Sequence, residues 1–230
     1  MKIAILIAGE PRFCGQLDSF IDNLQGYEQA DWFFYLWDET QMKYSVMQVP
    51  EKWAKIPSKE WAVNTIQEKL PSNHRIVDLV LGQQSNAPEG PVSIYKQHWS
   101  LNQVDLMRQQ YETAHGEYDL VIRARLDLPI KSPIDLRNLK EQVTRNPKLI
   151  FMPRNGKHGT PHPINDQIAI SSSNNIKIYT NLINNINTSI TVHPETQLSH
   201  HLRHSGLILQ DEIDNGPLKD PGVPDFGRWA

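Results

Sequence analysis

Arg123, Arg125 and Asp127 are spaced two apart in YDLVIRARLDLPI, residues 118–130, and interrupt an otherwise apolar run. In a strand, residues two apart point to one face. The three charges therefore share a side with Val121, while Ile122, Ala124, Leu126 and Leu128 face the other way into a core. Charges on such a face need pairing or an anionic ligand to offset their desolvation. One reading is a buried Arg–Asp network that ties the sheet to neighbouring loops. The other is an anion site, with Asp127 available to a hard cation that also binds substrate phosphates.

Three further segments carry side chains suited to chemistry. After the first apolar run comes Ala8-Gly9-Glu10-Pro11-Arg12. Gly9 permits a sharp turn and close backbone approach, and Arg12 can fork onto a phosphate. The same residues also make a plain strand-to-helix turn. They are neither a G-x-G-x-x-G fingerprint nor a P-loop. In INDQIAIS, Asp166 and Gln167 open an apolar run behind a polar loop, residues 154–165. Asp166 is either a capping residue or a group that meets a substrate. In HPETQLSHHLRH, Pro194 and Glu195 suit a helix start. His193, His200, His201 and His204 follow no H-E-x-x-H pattern, so surface histidines on an amphipathic helix are expected. Cys14 has no obvious partner, and Ser171-Ser172-Ser173 lacks a nucleophile elbow.

These residues need elements to hold them. Continuous apolar runs, the mark of strands buried on both faces, fall at Ile3–Ala8, Trp32–Trp37, Ile76–Leu81, Leu120–Leu128, Leu149–Met152 and Ile168–Ser171. Helical patterns cover Ser19–Gln29, Ser58–Leu70, Ser93–Ala114, Asn174–Asn185 and Pro194–His204. Alternation of the two implies an α/β fold with a mostly parallel sheet between helices. The long helix has an apolar side, Leu101, Val104, Met107 and Tyr111, that suits packing on the sheet. Tyr95, Trp99 and Leu106 form a second apolar strip. His98, Asn102, Asp105 and Gln109 form a polar stripe between them, expected to face solvent. The alternative is that the start of this helix, with Tyr95, Lys96 and His98, borders a ligand, since Lys96 there suits a nearby anion. Residues 42–57 read as an irregular loop and residues 211–230 as an extended tail, leaving one domain over residues 1–210.

Composition narrows the function. With 39% apolar and 21% charged residues and a net charge of −3, the chain has an ordinary globular balance. It lacks the basic excess expected of a nucleic-acid partner. One cysteine excludes an intramolecular disulfide and a cysteine-based zinc site, and fits a reducing cytoplasm. The opening apolar run is too short for a secretory leader and reads as a first strand. No segment approaches the roughly 20 apolar residues that span a membrane.

The segments IAILIAGEPRF, YDLVIRARLDL, NDQIAISSS and HPETQLSHHLRHSGL together resemble small glycosyltransferases of the GT-A type, the single-domain nucleotide-diphospho-sugar fold. The likeness is to bacterial and phage members with an R-x-R-x-D ending on the central strand, and covers most of residues 1–210. It implies sugar transfer from a nucleotide-diphosphate sugar to a hydroxyl acceptor, in glycan or polysaccharide synthesis. In that family an Asp-x-Asp triplet ends the central strand and holds a divalent metal against the donor diphosphate. Here the triplet is Arg125-Leu126-Asp127, so Asp127 is the remaining metal candidate, for Mn²⁺ or Mg²⁺, and Arg125 takes the place of the first carboxylate. The resemblance places Gly9, Glu10, Arg12, Lys96, Arg123 and Arg125 around the nucleotide and diphosphate. It makes Asp166 the residue that activates or orients the acceptor, and puts Gln167, His193 and Glu195 near sugar or acceptor. Two rivals stand beside it: a nucleotidyltransferase on a similar sheet, and a non-catalytic nucleotide-sugar-like module.

Overall fold

The computed structural model describes residues 1–9, 17–37, 59–83, 86–87, 92–125, 133–152, 164, 166–186 and 194–210. Its centre is a five-stranded sheet. Strands β1 (Lys2–Gly9), β3 (Gln29–Trp37), β4 (His74–Gly82), β5 (Leu120–Ala124) and β8 (Ile168–Ser171) lie in the order β4-β3-β1-β5-β8. The first four are parallel and β8 runs antiparallel to β5. Two small parallel pairs flank it: β2 (Leu24–Gln25) with β6 (Ile134–Asp135), and β7 (Leu149–Ile150) with β9 (Ile208–Leu209).

Both faces of the sheet are covered, which is why its strands read as unbroken apolar runs. On one face Ile3, Ile5, Ile7, Trp32, Phe34 and Ile122 pack against α1 (Leu17–Asp22), α2 (Lys59–Lys69) and α4 (Leu136–Arg145). On the other face Ala4, Leu6, Phe33, Tyr35 and Val121 meet three helices and a 3₁₀ turn. These are α3 (Val92–His115), α5 (Ser173–Thr180), the turn Asn181–Asn185 and α6 (Pro194–His204). Each fully buried Ile, Leu or Phe in these layers contributes about 1.5–3 kcal/mol.

Three sequence expectations need correction. The helix expected over Ser19–Gln29 ends at Asp22, because Gly26 takes φ +84° and the chain re-enters a sheet at Gln29. The pattern expected as one helix over Asn174–Asn185 is α5 followed by a 3₁₀ turn at Asn181. The polar stripe of α3 does not face water: His98 and Asp105 are fully buried, and Asn102 and Gln109 are half-buried. The stripe lies under α5, where Thr180 Oγ1 donates to Asp105 Oδ2 (2.8 Å) and Asn102 Nδ2 approaches the Thr180 carbonyl (3.5 Å). Buried Arg108 completes that seam, bonding Asp105 (2.7 Å) and Glu112 (2.5 Å). Helix α4 escaped the sequence reading. Asp135 caps it, accepting from the amides of Arg137 (3.0 Å) and Asn138 (3.1 Å), and Leu136, Leu139 and Val143 turn inward.

At the amino ends of the strands, buried Asp31 accepts two bonds from Arg75 (3.0 and 2.8 Å) and one from Tyr118 Oη (2.7 Å). Lys2 Nζ stands 3.6 Å away. This cluster closes the end of the sheet opposite the site.

Candidate functional site

The strand order reverses at β1. The chain goes from β1 to β3 and β4 on one side and returns to β5 on the other. Open α/β sheets take ligands outside the carboxyl ends of the strands that flank such a switch point, here β1 and β5. Gly9 ends β1 there with φ +110°, a conformation that suits glycine, although nothing lies within 4 Å of an added Cβ. Leu6 pairs with Arg123 and Ile7 with Ala124, so Arg125 leaves β5 beside the end of β1.

Antiparallel pairing of β5 with β8 brings the second segment alongside. Arg123 is opposite Ala169 and Ala124 opposite Ile168. The Arg125 amide then donates to the Gln167 carbonyl at 3.2 Å. Asp166, one step further, is 5% exposed and meets the charges of Arg123 and Arg125. Burial alone pushes its carboxyl up. Arg123, Arg125, His98 and a hydrogen bond from Gln97 Nε2 to Oδ2 outweigh that and hold it below the ordinary aspartate value.

Arg123 points into the layer of α3 and α5, as its alternation with Ile122 and Ala124 requires. Its guanidinium carbon lies 5.8 Å from the Tyr179 ring centroid. The side chain is 1% exposed, yet Nε and Nη1 find no hydrogen-bond partner among the described residues. His98 is enclosed nearby, and burial, which opposes a charged ring, drives its pKa down to about 4. Tyr179 is fully buried, and burial raises its hydroxyl well above its ordinary value.

Of the residues expected at the site, Arg123, Arg125, Asp166 and Gln167 come together, with Gly9 on the neighbouring strand end. Glu195 opens α6, half-buried, and its charge reaches Tyr179. Lys96 is half-buried near the start of α3. Glu10, Arg12, Asp127 and His193 lie outside the described residues, as do the expected loops at 42–57 and 154–163 and the tail. Gln97 and Tyr179 were missed: a glutamine in a helix and a tyrosine on an apolar face carry no distinctive spacing. His200 and His204 stack on one another at 3.9 Å on the exposed side of α6, as expected of surface histidines.

Among the described residues, no three His, Cys, Asp or Glu side chains gather into a metal cage. The described part of the site sets two guanidiniums against Asp166, and a cation there would meet like charge. That donor set fits an anion, while Asp127, the expected metal ligand, lies outside the described residues.

The chain superimposes on a galactosyltransferase, LgtC, solved in complex with donor and acceptor sugar analogues, with TM-score 0.50 and 9% identity. The match covers 91% of this chain and 73% of that one. The fold is GT-A-like. A protein of Desulfovibrio desulfuricans G20 assigned as a nucleotide-diphospho-sugar transferase matches over 90% of this chain and 78% of its own, with TM-score 0.43 and 8% identity. No protein-family model matches the sequence, and no curated protein matches it. Among the described residues, no helix of this GT-A-like chain is long and apolar enough to cross a membrane.

Proposed function

We propose that the chain transfers a sugar from a nucleotide-diphosphate sugar to a hydroxyl acceptor. One observation carries this reading. A buried guanidinium, Arg123, keeps two nitrogens without partners among the described residues, beside Arg125 and Asp166, at the switch point of a GT-A-like sheet. Structural likeness to an enzyme solved with donor and acceptor sugar analogues supports it.

In this mechanism the acceptor hydroxyl oxygen bonds to the anomeric carbon as the bond from that carbon to the diphosphate breaks. The hydroxyl proton passes to the departing diphosphate or to solvent, and the electron pair of the broken bond leaves on a phosphate oxygen. Arg123 and Arg125 stabilise that charge, the kind of preplaced electrostatics that contributes most to catalysis. Gly9, Glu10 and Arg12 border the nucleotide, with Lys96 at its rim. Asp166, held ionised, accepts a hydrogen bond from a substrate hydroxyl. A carboxylate this acidic orients a hydroxyl more readily than it removes its proton. Gln167, His193 and Glu195 line the sugar and acceptor side. No step is routed through a metal. Mn²⁺ and Mg²⁺ acting at Asp127 enter as separate arms of the assay.

A second reading is favoured by Arg125 standing where a metal-binding carboxylate is expected: a module that binds nucleotide sugar without turning it over. Release of free nucleoside diphosphate from UDP-, GDP- and dTDP-sugars, with and without a saccharide acceptor, decides between them. Release in the wild type, reduced about 100-fold or more by Arg125→Gln, supports transfer. Binding without release supports the module.

A further inference from the structure

His98 sits on α3, fully enclosed, with neither Nδ1 nor Nε2 partnered among the described residues. Arg123 Nε and Nη1 are in the same condition. Asp166, Arg123 and His201 all act on His98 through their charge, so the loop before β8, the central strand and α6 converge on one ring. His201 itself is engaged, its Nε2 lying 2.8 Å from the Ile178 carbonyl. Buried polar atoms are seldom left unmet, and a group of four nitrogens calls for oxygen-rich partners.

We propose that His98 is a specificity-determining residue which, with Asp166, reads hydroxyl groups of a neutral hexose carried on the nucleotide diphosphate, while Arg123 serves the diphosphate. This rests on the sugar-transfer reading above. A neutral imidazole offers one donor and one acceptor, and a hydroxyl both donates and accepts. Asp166 only accepts, so a polyol satisfies both. With Arg123 and Arg125 engaged by the diphosphate, a sugar carboxylate would be set against Asp166 in a poorly solvated place, which disfavours a hexuronic acid.

The test is calorimetric titration of the full chain with UDP-, GDP- or dTDP-hexose, whichever binds best. The matching free diphosphate, the UDP-linked hexuronic acid and the monodeoxy hexose series are titrated in parallel. His98→Ala should weaken the intact hexose nucleotide about tenfold or more while leaving the free diphosphate unchanged. For one deoxy analogue the substitution should cost nothing, because its partner hydroxyl is already gone. His98→Gln, which keeps a donor and an acceptor, should fall between, and thermal unfolding of both variants checks that they fold. The hexuronate should bind more weakly than the hexose. If His98→Ala changes nothing, or weakens every ligand equally, the proposed role of His98 is wrong and the sugar-transfer reading survives. If no sugar nucleotide and no free diphosphate binds the wild type, that reading falls first and takes this one with it.

Discussion

Gln97 on α3 donates its side-chain amide to Oδ2 of Asp166, 69 residues further along the chain. That bond joins the helix before the central strand to the turn before the antiparallel one, and it fixes the carboxylate beside two guanidiniums. Asp166→Asn removes the counter-charge of buried Arg123 and should cost about 3 kcal/mol. Gln97→Ala should cost about 1.5 kcal/mol, the scale of a bond to a charged acceptor. Urea unfolding of the two variants checks the order. An Asp166→Asn protein as stable as the wild type would mean that Asp166 is not what balances the arginine.

The Asp31 cluster at the far end of the sheet gives a contrasting case. Tyr118→Phe deletes the 2.7 Å bond to Asp31 and leaves Arg75 in place. Stability should fall by about 1.5–3 kcal/mol, since the acceptor is charged. Affinity for a nucleoside diphosphate should not change, because the cluster lies at the amino ends of the strands. A loss of affinity matching the loss of stability would put the ligand somewhere other than the carboxyl ends of the strands.

Much of this architecture was legible in the sequence. The run Ile168–Ser171 is β8 residue for residue, and Pro194–His204 is α6. Both have sharp chemical edges: a Ser-rich turn after the strand, and a proline at the helix start. Arg123 and Asp166 were legible as charges at strand ends, but the pairing that joins them was not, because antiparallel register leaves no local mark. The α3 stripe misled for a related reason. Its aspartate looks like part of a solvated face until α5 packs over it and Arg108, three residues along the same helix, neutralises it. Helix α4 was readable and was missed: Leu136, Leu139 and Val143 stand at i, i+3 and i+7, the spacing of one helix face, and Asp135 is a cap.

Acid should destabilise the fold in a defined window. His74 accepts from Trp32 Nε1 at Nδ1 (2.9 Å) and meets Tyr27 Oη at Nε2 (2.7 Å), an arrangement that suits the neutral ring. Burial takes both His74 and His98 from the ordinary 6.5 down to about 4. Between those values the unfolded chain binds more protons than the folded one, so stability falls as pH falls from about 6.5 towards 4. The depressed carboxyls of Asp166 and Asp119 lose their contribution only at lower pH, below their unfolded values. Urea midpoints should therefore be lower at pH 5 than at pH 7, with a weaker slope in His98→Gln. Equal midpoints would contradict neutral buried histidines.

Gly82 ends β4 against Tyr35, and an added Cβ would stand 2.2 Å from the tyrosine oxygen. Tyr35 is held by Trp99 and Trp37, with ring centroids 5.3 and 5.8 Å away, so it has little room to yield. Gly82→Ala should cost about 1–3 kcal/mol. In a Tyr35→Ala background the same change should cost much less, since the clash is gone. Equal costs in both backgrounds would show that the glycine is needed for its backbone alone.

The central claim is that Arg123 and Arg125 form a diphosphate site at the carboxyl ends of β1 and β5. A thermal-shift series with UDP-, GDP-, CMP- and dTDP-sugars, each with and without Mn²⁺, tests it most directly, because a ligand of the native state raises its melting temperature by mass action. At least one diphosphate donor should raise the wild-type transition, and that rise should vanish in both Arg123→Gln and Arg125→Gln. A flat response to every donor, or a rise that survives both substitutions, would contradict the account.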